Sequence, residues 1–97
     1  MSPKLIPLAQ INKGQRCIVR KIDEALLPHN VELEAGELER RILEIGIIEG
    51  VELQVLHFGL INRDPIAVLV GTNGATIAIR RNESTIILVE LIENKGN

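Results

Sequence analysis

The stretch Leu38-Glu39-Arg40-Arg41-Ile42-Leu43-Glu44-Ile45-Gly46-Ile47-Ile48-Glu49-Gly50-Val51 constrains this chain more than any other. Its apolar residues Leu38, Ile42 and Ile45 recur at i, i+4 and i+7, so they share one face of a helix. Ala35 and Val31 continue that face backwards, and Asn30 stands ahead of it with the side chain of an N-cap. The spacing predicts a helix over 31–45, with Gly36 inside it as an energetic cost. Gly46 ends the helix. With glycine at C′, Ile42 and Ile47 take the C3 and C″ positions whose side chains close a Schellman motif. Arg40 and Arg41 sit near the negative end of the helix dipole, and Glu37 is spaced to pair with Arg41. Gly50 then permits a reversal into an alternating strand over 51–55. Leu43 lies off the packing face, either as rim packing beneath Ile47 or as an exposed contact for a partner.

A chain of 97 residues supplies one small domain with one modest core. Hydrophobic residues make up 45% of it, yet Phe58 is the only aromatic, so the core must be aliphatic. Ile, Val and Leu in that proportion suit short strands. A net charge of −2 gives no electrostatic footprint for nucleic acid, and bases would lack stacking platforms. The single Cys17 excludes an internal disulfide and suits a reducing compartment. Met1-Ser2-Pro3-Lys4 lacks the apolar core of a signal peptide, and the run Ile66-Ala67-Val68-Leu69-Val70 is too short to span a bilayer. A soluble, cytoplasmic protein is expected, without direct membrane insertion and with any membrane role exercised through a partner.

Taken in order, Leu5-Ile6-Pro7-Leu8 is expected as an ordered arm lying on the core. Ile11 precedes the turn Asn12-Lys13-Gly14, residues 17–22 form the first strand, and 23–29 form a loop. Beyond Phe58, residues 59–65 are expected as a loop leaving through Pro65. A strand over 66–71 is followed by Asn73-Gly74, a type I′ hairpin signal, and a return strand over 75–80 with Ile77 and Ile79 inward. Asn82-Glu83-Ser84 is expected to turn the chain into a last strand over 85–92. There Ile86, Ile87, Leu88 and Val89 are apolar on both faces, so the helix or another chain must cover the second face. About five short strands, one inserted α-helix and glycine turns predict a small antiparallel β-barrel.

Catalytic constellations are missing. Ser84 has no nucleophile motif around it, and Cys17, mid-strand without a local histidine, suits the core better than a nucleophile's role. His29 and His57 are isolated, and no metal-ligand spacing occurs; a site assembled from Cys17, His29 and His57 across the fold is the alternative. No cofactor and no enzyme chemistry is expected. The acidic residues between Asp23 and Glu52 read as a solvated helix face. Arg80-Arg81 is either an ordinary strand end or an anchor for an acidic partner surface. What remains is a small binding module.

Four segments, in order between Leu5 and Leu91, carry a family resemblance. Leu8-Ala9-Gln10-Ile11-Asn12-Lys13-Gly14 is similar to the leucine-led opening of the small bacterial ferrous-iron transport protein A (FeoA) family. Residues 41–50 resemble its R-L-L-x-L-G-h-x-P-G signature, Asp64-Pro65-Ile66 its G-D-P segment, and residues 77–84 its L-A-L-R-x-x-E-A segment. Glu49 stands where proline is usual and Arg63 where glycine is usual, and the loop over 23–37 is longer than in compact members. The resemblance implies an SH3-like barrel, similar also to the C-terminal SH3-like domain of iron-dependent repressors. It implies an accessory protein of ferrous iron uptake that docks on the cytoplasmic side of the FeoB-type transporter and modulates its nucleotide-dependent activity. Proline-rich peptide binding would need an aromatic groove, which one phenylalanine cannot line. The partner contact is therefore expected at Leu43, Gly46, Ile47 and Gly50, with Arg80 and Arg81. Two alternatives belong to other classes: a metal-responsive SH3-like regulatory domain acting in trans through transition metal ion binding, and a self-assembling module joined through its last strand.

Overall fold

The computed structural model describes residues 4–27, 36–71 and 74–92. Within them run β1 (Ile6–Pro7), β2 (Arg16–Ile22), β3 (Glu52–Ile61), β4 (Asp64–Val70), β5 (Ala75–Ile79) and β6 (Ile87–Leu91). Two α-helices accompany them, α1 (Glu37–Glu44) between β2 and β3 and α2 (Arg81–Ile86) between β5 and β6. All pairings are antiparallel and the order across the sheet is β1-β6-β2-β3-β4-β5. The sheet is open among the described residues, with β1 and β5 at its edges, rather than the closed five-stranded barrel the sequence suggests. The core is aliphatic, as a chain with one aromatic requires: Leu8, Ile11, Val19, Ile42, Ile47, Leu53, Val68 and Ile79 are all fully buried.

The glycine stop forms as expected. Gly46 adopts φ 96°, the Gly46 N–H donates to the Leu43 carbonyl (3.0 Å) and the Ile47 N–H to the Ile42 carbonyl (3.2 Å), which is the Schellman pattern. Ile45 does not join Leu38 and Ile42 in the core; it is 42% exposed, because the reversal at Gly46 sends Ile47 inward in its place. Nor does Gly36 lie inside the helix. It precedes α1 with φ 81°, and the expected turns over 31–35 and the cap at Asn30 lie outside the described residues. The cap comes from a distant side chain: the Glu24 carboxylate accepts the N–H groups of Gly36 (2.7 Å) and Glu39 (2.8 Å). Arg41 faces Glu83 at 3.7 Å rather than Glu37, and Arg40 pairs with Glu44.

Two larger departures concern residues 59–65 and 82–86. The first is no loop. β3 and β4 make a long hairpin closed by Asn62 (φ 54°) and Arg63 (φ 59°), the two positive-φ positions of a type I′ turn. Its register shifts once between Val55 and His57 and again between Phe58 and Ile61. Each bulge resets the inside–outside alternation, so Val55 faces Val68 and Phe58 faces Ile66 although their parities differ. At Gly59 a side chain is excluded, because a Cβ there would overlap the Asp64 carbonyl. The Asn73 turn lies outside the described residues, but the strands flanking it pair as expected, Val70 with Ala75 through Ile66 with Ile79.

The expected turn at Asn82-Glu83-Ser84 and the first two residues of the expected last strand, Thr85 and Ile86, are helical, and the strand itself runs over Ile87–Leu91. Ser84 Oγ donates to the Arg81 carbonyl (2.7 Å), Thr85 Oγ1 to the Asn82 carbonyl (2.7 Å), and Glu83 accepts from the Arg80 N–H (2.9 Å), so the polar run caps and lines α2. Ile86 reaches the core from the helix, Ile87 and Val89 from β6. β6 lies between β1, which pairs at Leu88 and Val89, and β2, so it is not free to join a second copy as the self-assembly alternative requires. The N-terminal arm thus lies on the core as a short strand.

Glu24→Ala should lower the melting temperature and speed amide exchange at Gly36 and Glu39. The hydrogen bonds from Glu39 and then Gly36 hold the Glu24 carboxyl below its usual range. Its stabilisation is thus complete above the unfolded value of about 4.3 and is lost as pH falls through the lowered folded value. Acid melts of the parent and of Glu24→Ala should converge; parallel curves would refute the cap. Gly59→Ala should destabilise the fold by about 1–3 kcal/mol in urea unfolding, whereas Asn62→Gly, at the turn itself, should be tolerated.

Candidate functional site

The exposed apolar surface at the end of α1 follows from the glycine stop. Once Ile47 is drawn inward, Leu43, Ile45 and Ile48 are left outside, each at least 42% exposed. Leu43 lines a shallow cleft of about 250 Å³ with Val19, Lys21, Ile22, Glu39 and Glu49. The turn beneath is stapled to β2: the Gly50 N–H donates to the Val19 carbonyl (2.7 Å) and the Val19 N–H to the Val51 carbonyl (2.9 Å). Leu43 therefore sits on a fixed shoulder between α1 and β2, with Gly46 and Gly50 shaping the backbone at positive φ. Ile47, expected as a contact, is fully buried and serves as the peg that holds the shoulder down.

Arg80 and Arg81 are not part of this shoulder's cleft. They open α2 at the base of the β3–β4 hairpin, where the Arg81 N–H donates to Asp64 Oδ1 (3.0 Å). Arg81 lines a second cleft of about 190 Å³ with Phe58, Asn62, Arg63 and Ser84. The Arg63 guanidinium lies 4.0 Å above the Phe58 ring centroid, within cation–π range. Above this cleft the hairpin presents Leu60, 102% exposed, and Ile61, 75% exposed. Leu60 and Ile61 are not singled out in the sequence, and Arg63 is marked there only as standing where glycine is usual in the family the sequence resembles. The available signal was Asn62-Arg63 set between two apolar runs, an asparagine at a position that tolerates positive φ.

The titratable groups offer little chemistry. Cys17 is fully buried, and burial followed by the Glu52 charge pushes its thiol up to about 12, so it stays protonated and core-like. His57 is exposed on β3, while His29 lies outside the described residues. Among the described residues no three His, Cys, Asp or Glu side chains converge to hold a metal ion. No helix among them is long and apolar enough to cross a membrane. The means available to this surface are burial of aliphatic side chains and pairing of charge.

Comparison with known proteins agrees with the fold. The chain superimposes on the NMR structure of a FeoA-like protein from Clostridium acetobutylicum with a TM-score of 0.73 and 24% identity, over 100% of this chain and 96% of that one. The FeoA protein of Chlorobium tepidum gives 0.69 at 28% identity, over 95% of this chain and 76% of the other. The zinc complex of Stenotrophomonas maltophilia FeoA, described as a prokaryotic SH3 domain protein, gives 0.66 at 22% identity, over 88% and 89%. No curated protein is a significant match to the sequence. A profile of the FeoA domain matches residues 6–91. With an SH3-like fold, an aliphatic core and the glycine-closed helix inside that match, the chain belongs to the FeoA family.

Proposed function

We propose that this protein is a cytoplasmic accessory factor of ferrous iron uptake, which docks on the cytoplasmic side of the FeoB-type transporter and modulates its nucleotide-dependent activity. The family is linked to ferrous iron transport, and a role as a bacterial ferrous iron transport activating factor has been suggested for the Stenotrophomonas protein. The observation that carries docking is the shoulder at Leu43, Ile45 and Ile48: three exposed aliphatic side chains on a turn fixed by its own hydrogen bonds. Such a surface loses little freedom when a partner covers it. Gly46 and Gly50 shape it and Ile47 anchors it from below, so the contact itself falls to Leu43 and its exposed neighbours. Modulation requires that the partner's nucleotide states present different surfaces to this shoulder, since only differential affinity shifts an equilibrium.

The metal-responsive reading draws on the zinc complex of the Stenotrophomonas relative. It requires stoichiometric ferrous or manganous binding to this chain through His29 or His57, which calorimetry on the parent, His29→Ala and His57→Ala checks directly. Docking is tested by titrating the protein against the purified transporter loaded with a GTP analogue or with GDP. Saturable binding that differs between the two states is expected, and Leu43→Asp should weaken it by about tenfold or more while leaving the melting temperature unchanged. Absence of binding in both states overturns the reading.

A further inference from the structure

Seven arginines are present, and their pairing is uneven. Four meet carboxylates: Arg16 with Glu52, Arg20 with Glu90, Arg40 with Glu44 and Arg41 with Glu83. The remaining three, Arg63, Arg80 and Arg81, have no carboxylate within ion-pair distance of their guanidinium groups among the described residues. Arg63 and Arg81 line one cleft, and Arg80 stands next to Arg81 in the chain. Arg63 is in the turn of the β3–β4 hairpin, and Arg80 and Arg81 open α2, which is tied to the hairpin base through Asp64. In a chain of net charge −2, these three guanidinium groups outnumber the junction's two carboxylates, Asp64 and Glu83, which are taken up by the backbone N–H groups of Arg81 and Arg80.

The same hairpin carries the two most exposed aliphatic side chains of the described structure, Leu60 and Ile61. Its shape is fixed before any partner arrives. The two-residue turn sets the tip, the Gly59 backbone abuts the Asp64 carbonyl, and the Arg63 side chain is stacked on Phe58. A free phosphate would satisfy the arginines but cover neither aliphatic side chain. A purely apolar surface would bury the tip but strand the charges.

We infer that the β3–β4 hairpin is a second docking element, and that it inserts Leu60 and Ile61 into an apolar recess rimmed by carboxylates on a protein partner. Arg63 and Arg81 meet those carboxylates from the second cleft, and Arg80 adds to the field that steers the encounter. The inference rests on the docking reading above, and it specifies the chemistry of the partner's surface.

The test uses the full-length protein and the purified transporter. The parent, Leu43→Asp, Leu60→Ser and Arg63→Gln/Arg81→Gln are titrated at low and high sodium chloride, with melting temperatures recorded for each. Both hairpin variants should lose about tenfold or more in affinity with unchanged melting, and the double glutamine variant should also show a flatter salt dependence than the parent. Full affinity in both hairpin variants, with loss only in Leu43→Asp, overturns the hairpin and leaves the shoulder standing. Failure of the parent itself to bind overturns the docking reading and the hairpin with it. Binding of the guanine nucleotide alone by the parent, lost in the double glutamine variant, assigns the arginines to phosphate and overturns the protein partner.

Discussion

The architecture turns on one nearly buried carboxylate. Glu83 has a single oxygen on the Arg80 N–H at 2.9 Å, and its other oxygen faces the Arg41 guanidinium at 3.7 Å. A buried acid has to be satisfied in this way or it opposes folding. By accepting from the residue before α2, it starts that helix; by facing Arg41, it links α2 to α1 through one long ion pair. From this follow the delivery of Ile86 to the core, the entry of β6 between β1 and β2, and the position of Arg81 beside Asp64. The shoulder on α1 and the hairpin on β3–β4 are separate in sequence, yet this junction touches both, Arg41 belonging to α1 and Arg81 meeting Asp64 at the hairpin base.

Local rules were enough where one interaction range decides the structure. The Schellman stop at Gly46, strand β2, the β4–β5 pairing and the burial of Cys17 all follow from residue type and spacing within a few positions. They were not enough where long-range packing overrides propensity. Residues 82–86, Asn-Glu-Ser-Thr-Ile, favour turn and strand on their own, and become helical because Glu83 and Ser84 find partners that only the fold supplies. In β3 the two bulges break the period-2 pattern, so a ten-residue strand reads as a short strand and a loop. The start of α1 was hidden for a related reason, since its cap, Glu24, lies twelve residues before Gly36.

The candidate surface was legible to the same degree. Leu43 stands out because it departs from the helical stripe, and departure from a pattern is visible without coordinates. Leu60 and Ile61 continue an apolar run, so nothing marks them as exposed until the turn at Asn62-Arg63 is known. Arg80 and Arg81 are conspicuous in the sequence, but only the assembled fold shows that carboxylates take their backbone N–H groups while, among the described residues, none pairs with their guanidinium groups. Aliphatic and cationic contacts of this kind leave no motif, because neither needs a fixed spacing of reactive groups.

The two-residue turn also sets how this fold can vary. Between the last inward pair, Phe58 with Ile66, and the tip, the chain contributes no fully buried side chain. Residues inserted at Asn62-Arg63 would add length where closure entropy grows only slowly with loop size and where no core atom is displaced. The reach of the hairpin is thus decoupled from the stability of the domain that bears it. Chains built on this scaffold are free to lengthen the projection without redesigning the aliphatic core.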